Sequence, residues 1–313
     1  MNTSILLKNP QLITLPHILG KRAERLNPNL TSCTLKWRHH ILWIKQAQNL
    51  TLTMPSLSNR EWLISCLQHS SAKLVCLDPQ LGEARIQFWA DACKKANKRV
   101  ILKVPNRDKF FQKQCSPSWW LKRTLDWIAA FVLLLLLSPL LIILAGLLKI
   151  TSPGSIFFRQ WRVGKGGQLF EIIKFRTMIA GAENLHHEVM KDQQGLHKCE
   201  NDPRVTPLGA WMRKFSFDEL PQLLNVLRGE MSLVGPRPWA LYDALRFKSP
   251  GKKRLKALPG ITGPWQVATR SSLRDLDAVS QCELEYLRNW SLWKDAKLLI
   301  MTIPRVVMGS DAY

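Results

Sequence analysis

The chain has 313 residues, room for two domains of ordinary size that can each bury a core. Lys and Arg outnumber Asp and Glu by 45 to 23, a formal charge of +22 that draws the chain to polyanions or anionic lipid. The 7 cysteines are dispersed and odd in number, which excludes a disulfide framework and indicates reduced thiols in the cytoplasm. His186, His187, His197 and Cys199 are close in sequence but match no firm metal-ligand spacing.

The opening segment gives no clear element, because its short apolar runs are broken by Pro10, Pro16 and Pro28. It has no basic-then-apolar leader with a small-residue cleavage site, which argues against secretion. Residues 34–45 predict a strand or a strand pair. Ser58 followed by Glu61 is a capping box that starts a helix reaching to about residue 69. A strand over 73–77, a helix over 83–96 and a strand over 99–104 make a βαβ unit. The turn after its first strand reads Asp78-Pro79-Gln80, so it has no glycine-rich phosphate loop and gives little support to dinucleotide binding. Residues 1–115 are therefore read as a small α/β accessory domain and link, with Trp119 and Trp120 just beyond it as anchors at a membrane interface. Residues 116–313 are read as a membrane-anchored domain.

Residues 127–148 form an uncharged stretch of 22 residues with Ser138-Pro139 near its centre. An unbroken helix of that length crosses about 30 Å, the hydrocarbon thickness of a bilayer, and the plain reading is one transmembrane span. Proline cannot donate to the helical ladder and crowds the carbonyl four residues back, so a bend is favoured there, with the Ser138 hydroxyl bonding a freed carbonyl. Lys122 and Arg123 precede the stretch, and Lys149, Arg159, Arg162 and Lys165 follow it. Both flanks thus carry the charge of a cytoplasmic flank. A helix over 125–149 that enters one leaflet, turns and leaves on the same side satisfies both flanks, and this re-entrant form is preferred over the straight span. Asp126 is expected at headgroup level.

Short strands follow over 156–159 and 169–175, then a polar helix over 182–193, a helical piece over 208–214 and another over 219–227. Helical spacing over 276–290 and 292–307 mixes Trp293, Leu298, Ile300 and Met301 with lysines. Helices lying flat on a leaflet show that mixture, and so do helices buried against a core.

The residues that could carry chemistry gather in this second half. In Ser216-Phe217-Asp218-Glu219-Leu220-Pro221, Asp218 suits an N-cap, Glu219 a first turn and Pro221 the start of a helix. That structural account is sufficient alone. An anionic substrate near the helix start would add a second role: the helix end keeps Asp218 ionised, and Glu219 could hold a divalent cation. Arg162, Lys174, Arg176 and Arg204 stand beside turns or strand ends. Arg237 lies between Pro236 and Pro238, which fix the backbone and lower the entropy of holding a phosphate fork. The basic runs lack interleaved aromatics, and nucleic acid is not an expected partner.

From about residue 122 onward the chain closely resembles the bacterial sugar transferase family, the polyprenyl-phosphate glycosyl-1-phosphate transferases. The resemblance rests on the Ser138-Pro139 helix, Phe157-Phe158-Arg159-Gln160 with Arg162 and Gly164, and Lys174-Phe175-Arg176-Thr177-Met178. It continues through Asp202-Pro203-Arg204, the acidic pair in 216–222, Gly235-Pro236-Arg237-Pro238, Pro259-Gly260-Ile261-Thr262-Gly263 and Asn289-Trp290-Ser291-Leu292-Trp293. It implies an α/β, monotopic membrane enzyme with a re-entrant broken helix, acting on the cytoplasmic face of the bacterial inner membrane. Such enzymes transfer a hexose 1-phosphate from a UDP-sugar to undecaprenyl phosphate with Mg2+, release UMP, and so begin exopolysaccharide, capsule or O-antigen synthesis. By the same resemblance Asp218 matches the nucleophile and Glu219 its magnesium-associated partner. Arg162, Lys174, Arg176, Arg204, Arg237 and Arg270 are then expected on substrate. Where the family commonly has Gly-Arg, this chain reads Ala268-Thr269-Arg270, with Trp265 and Gln266 kept. The accessory unit stays open between oligomer contact, with a homo-oligomer as the assembly, regulation and a remnant fold. A non-catalytic, basic, membrane-attached scaffold is the rival reading; it accounts for the charge and the anchor but not for paired carboxylates among arginines.

Overall fold

The computed structural model describes residues 33–46, 60–104, 117–182, 202–246, 251–268 and 276–309. The first part is a four-stranded sheet. β1 (Cys33–Arg38) and β2 (Ile41–Gln46) form an antiparallel hairpin, which resolves residues 34–45 into a strand pair turning at His39 in left-handed backbone, φ 54°. α1 (Arg60–His69) follows; Ser58 of the expected capping box lies outside the described residues. β3 (Leu74–Leu77), α2 (Glu83–Lys95) and β4 (Arg99–Leu102) form the expected βαβ unit, and the parallel pairs β2–β3 and β3–β4 give the order β1-β2-β3-β4. Asp78 closes the turn after β3 by accepting from the Gln80 N–H at 3.1 Å. Cys33, Cys76 and Cys93 are buried here, and burial pushes the Cys93 thiol up to about 12, which leaves it unreactive at neutral pH.

The second part begins with α3 (Pro117–Thr151), 35 residues long. It is followed by β5 (Phe157–Val163), β6 (Leu169–Phe175), α4 (Pro207–Lys214) and a 3-10 turn (Phe217–Gln222) that runs into α5 (Leu223–Leu227). β7 (Ser232–Val234), β8 (Trp239–Ala240), α6 (Leu241–Arg246), β9 (Gly260–Thr262), α7 (Pro264–Ala268), α8 (Leu276–Arg288) and α9 (Leu292–Met308) complete it. β5 pairs antiparallel with both β6 and β8, and β7 with β9 in parallel. The protein is thus a mixed α/β fold with open sheets and one long apolar helix.

The two parts meet in one hydrophobic cluster, which runs from Ile44, Leu77 and Trp89 to Trp161, Trp239 and Trp265. Trp161 Nε1 donates to Asp91 at 2.7 Å, Lys94 pairs with Glu171, and Ile101 bridges to Gln168.

α3 continues through Pro139 and is the one helix among the described residues long and apolar enough to cross a membrane. Pro139 frees the Leu135 carbonyl, and the Ser138 hydroxyl donates to it at 2.8 Å. The ends of α3 dock on the same folded body. At its start Lys122 Nζ donates to Asp295 at 2.6 Å, Asp126 accepts from the Ser232 hydroxyl at 2.6 Å, and Ala130 joins Leu223 and Val226 in the core. Near its end Leu144 and Leu148 pack on Phe175 and Met212. Between these contacts Phe131, Leu135, Leu136, Ile142 and Ile143 are exposed. Asp126 is buried against β7, where the Ser232 hydroxyl and the Leu233 N–H supply its hydrogen bonds. Trp119 packs edge-on against Trp290 at 4.9 Å, whereas Trp120 is exposed.

Candidate active site

The site is assembled on one face of the β5–β6 hairpin. Period-two alternation and the register put Gln160 and Arg162 of β5 on the same face as Ile172 and Lys174 of β6. Arg162, Ile172 and Lys174 line a cleft completed by Glu219 and Gln222 from the 3-10 turn, Arg237 and Pro238, and Gln266, and Arg162 donates to Gln160 at 2.6 Å. Lys174 Nζ donates to Glu219 Oε1 at 2.7 Å. Burial lowers the Lys174 ammonium below the usual lysine range, and the Glu219 and Asp218 carboxylates oppose that shift. Burial likewise lowers Arg162, with Tyr242, Asp243 and Glu219 acting against it.

Asp218 is only 8 % exposed and lies within the 3-10 turn. It is not the N-cap expected from its position: Ser216 takes that place in left-handed backbone, φ 55°, and makes no side-chain cap bond. The expected helix over 219–227 is accordingly a 3-10 turn followed by the five residues of α5. Asn225, fully buried, fixes this turn to β6 by accepting from the Ile173 N–H at 3.0 Å and donating to the Glu171 carbonyl at 2.8 Å. The acidic pair is therefore held beside Lys174 by backbone sutures, not by helix capping.

Arg237 leaves β7 on a loop strapped to β9. The Gly235 N–H donates to the Thr262 carbonyl at 3.0 Å, and the Gly260 N–H to the Pro236 carbonyl at 2.9 Å. The strands approach so closely that a Cβ on Gly235, Gly260 or Gly263 would strike the facing backbone. The Arg237 guanidinium lies 5.3 Å from the Trp265 ring centre, and the Arg237 backbone N–H donates to Glu283 at 2.8 Å. Glu283 in turn pairs with Arg254, both fully buried. Burial pushes the Glu283 carboxyl up and the Arg254 guanidinium down, and their mutual attraction resists both shifts.

Two of the expected substrate residues are engaged by partners outside the cleft lining. Arg176 donates to the carbonyls of Ser152 and Pro153, both at 2.8 Å, and so closes the C-terminal end of α3. Arg204 forms a fork with Asp202 at 2.8 and 2.6 Å, a local pair that the Asp-Pro-Arg spacing favours. Arg270 lies outside the described residues, as do His186, His187, His197 and Cys199. Arg213 is a site residue the sequence reading passed over. Its Nε donates to the Thr177 hydroxyl at 2.9 Å, burial lowers its guanidinium, and the Asp218 carboxylate is the first group opposing that shift.

Among the described residues no three carboxylate, histidine or cysteine side chains are grouped to hold a metal by themselves. Magnesium is bound through one or two carboxylates plus substrate phosphate oxygens, and the adjacent Asp218 and Glu219 fit that donor set.

Asp243 gives the site a measurable pH dependence. Burial pushes its carboxyl up to about 6, with Arg162 the first group acting against the shift. The folded chain thus holds this proton more tightly than the unfolded chain, so stability falls as pH rises from about 4 through 6 and is level above. Replacing Asp243 by Asn is expected to remove that fall, roughly 2–3 kcal/mol at pH 7. Denaturant unfolding at pH 4, 5, 6 and 7.5 checks it; an unchanged slope in the variant contradicts it.

A family model described as bacterial sugar transferase matches residues 117–309. Exopolysaccharide production protein ExoY of Rhizobium meliloti (strain 1021) is 40% identical over 199 residues, 61% of this chain and 88% of its own length. The UDP-glucose:undecaprenyl-phosphate glucose-1-phosphate transferase of Caulobacter vibrioides is 42% identical over 200 residues, 61% of this chain and 72% of its own. The UDP-galactose-lipid carrier transferase of Erwinia amylovora is 34% identical over 265 residues, 82% of this chain and 54% of its own, so that likeness extends into the first part. With more than half of its residues in the matched region, which holds the acidic pair, Lys174 and Arg237, the chain belongs to the bacterial sugar transferase family.

Proposed function

We propose that this chain transfers a hexose 1-phosphate from a UDP-sugar to undecaprenyl phosphate, releasing UMP, on the cytoplasmic face of a bacterial plasma membrane. The step would begin assembly of an exopolysaccharide, capsule or O-antigen. The observation that carries this reading is the pairing of Asp218 and Glu219 with buried cations beside a membrane helix, the Lys174–Glu219 contact of 2.7 Å at its centre. The names of the relatives in Caulobacter and Erwinia support the substrate classes.

In the first displacement an Asp218 oxygen attacks the sugar-bearing phosphorus of the UDP-sugar. A P–O bond forms to the carboxylate as the bond to UMP breaks, and UMP leaves with the electron pair. In the second, a phosphate oxygen of undecaprenyl phosphate attacks the same phosphorus, and the Asp218 carboxylate leaves. Both steps exchange phosphoanhydride-like bonds, so the overall transfer is nearly balanced in free energy. Lys174, Arg162, Arg213 and Arg237 are placed to hold phosphate oxygens as charge redistributes. Glu219, with Asp218 beside it, would hold Mg2+, which when bound neutralises phosphoryl charge. Incubation of the purified chain with Mg2+ and labelled UDP-glucose, UDP-galactose or an N-acetylated UDP-hexose should yield labelled protein and free UMP before any carrier is added. Labelled protein with none of them would remove the covalent step.

The re-entrant placement of α3 belongs to the same reading. Both ends of the helix dock on one body, and a full crossing would leave one of those contacts on the wrong side of the bilayer. With the native cysteines controlled, Trp119→Cys and Ser152→Cys should both resist an impermeant reagent applied to intact cells. Labelling of one position alone would favour a straight span.

A further inference from the structure

Beside the acidic pair lies an aromatic surface that the transfer chemistry above does not use. Trp211 and Phe215 of the α4 end and Phe217 of the 3-10 turn form a three-way contact, with ring centres 5.4 to 5.8 Å apart. Such a cluster would ordinarily be core, yet Trp211 is 44 % exposed. Phe217 packs on the buried cluster of Leu144, Leu148, Phe175 and Met212, two of whose members belong to α3, so the rings adjoin the half of the membrane helix that follows Pro139. At its other end stand cations: Lys214 lies 5.7 Å from the Phe215 ring centre, and Arg213 faces the Asp218 charge. One edge of the surface is therefore membrane helix, and the other is the acidic pair with its basic neighbours.

We propose that Trp211, Phe215 and Phe217 form the track on which the isoprenoid chain of the lipid carrier lies while its phosphate reaches Asp218. This rests on the transferase reading and names the part of the site that takes the lipid. The occupant follows from complementarity at both ends. The carrier has an anionic head and a long apolar tail, and the surface offers cations and a carboxylate nucleophile at one end and apolar rings that run into the bilayer at the other. The nucleotide sugar is polar throughout and would gain little from the rings. Aromatic faces also suit a chain of flat, unsaturated isoprene units, which they can cover without demanding one register.

The test separates the two half-reactions. The full chain in lipid nanodiscs is loaded with labelled UDP-sugar to form the covalent adduct. Discharge is then followed with undecaprenyl phosphate and with geranyl phosphate, a carrier too short to follow the track. Trp211→Ala, at an exposed position, and Phe217→Leu, which keeps the packing on α3, should both load at the wild-type rate. The KM for undecaprenyl phosphate should rise on the order of tenfold, from the apolar contact removed, with little change for geranyl phosphate. An unchanged KM for the long carrier, or an equal rise for both carriers, would overturn the track. Slowed loading would also overturn it by placing the rings on the nucleotide side. If the wild type forms no adduct, the assignment of Asp218 falls first and the track with it.

Discussion

Asp218→Asn should lower UMP release at least ~10⁴-fold and leave no sugar phosphate on the protein. The amide keeps the shape of the side chain but is a poor nucleophile and carries no charge, so the change removes the reacting group while disturbing little else. Asp218 sits in a turn sutured to β6 through Asn225, and that suture does not depend on its charge. Loss of turnover therefore reports on chemistry. Glu219→Gln is expected to cost ~10²–10³-fold, because Lys174 would lose its carboxylate partner and the proposed Mg2+ one ligand. UMP measured by a coupled assay, with adduct followed by intact mass, distinguishes the two variants. An undiminished adduct on Asp218→Asn would end the assignment.

Lys122→Met is expected to destabilise the fold by about 3–5 kcal/mol. Lys122 is buried between Asp295, at 2.6 Å, and Asp126, at 3.6 Å, and also donates to the Val234 carbonyl at 3.2 Å. Tyr286 and Trp290 complete the hydrogen bonding of Asp295, at 2.6 and 3.1 Å. Removing the ammonium leaves two buried carboxylates close together with one cation fewer, and the residual network cannot neutralise both. The double variant Lys122→Met, Asp295→Asn should recover part of the loss, since it removes one stranded charge as well. Thermal unfolding in detergent, compared across the two singles and the double, checks this. Additive losses would mean that the pair is not coupled.

The elements legible in the sequence were those fixed by local pattern. The βαβ unit follows from apolar runs of strand length around an amphipathic helix, and the β5–β6 strands from alternation about a glycine turn. The 127–148 stretch announced itself by length and lack of charge. What local pattern could not supply was which side chains share a cavity. Arg176 and Arg204 resemble Arg162 and Arg237 in the sequence, yet the first two bind carbonyls and Asp202, because backbone acceptors and a neighbouring acid lie within their reach. Arg254 stands in a basic run, Lys252-Lys253-Arg254, whose sequence shows no sign of burial. It is instead buried under Trp239 with Glu283, a partner 29 positions away that no local spacing reveals. Asp126 carried a readable signal, since Lys122 stands four residues before it on the same helix face. The cap at 216–218 was misread because left-handed backbone at Ser216 is a tertiary choice that Ser does not advertise.

The Lys122–Asp295 contact joins positions 173 residues apart. During synthesis the apolar helix therefore leaves the ribosome long before the carboxylate that seats its first turn exists. Until residue 295 has been made, the nascent helix must wait at the membrane or on a chaperone with its basic end still hydrated. Final docking is thus a late event, and a ribosome stalled earlier would hold an anchor that has reached lipid but not yet its own catalytic body.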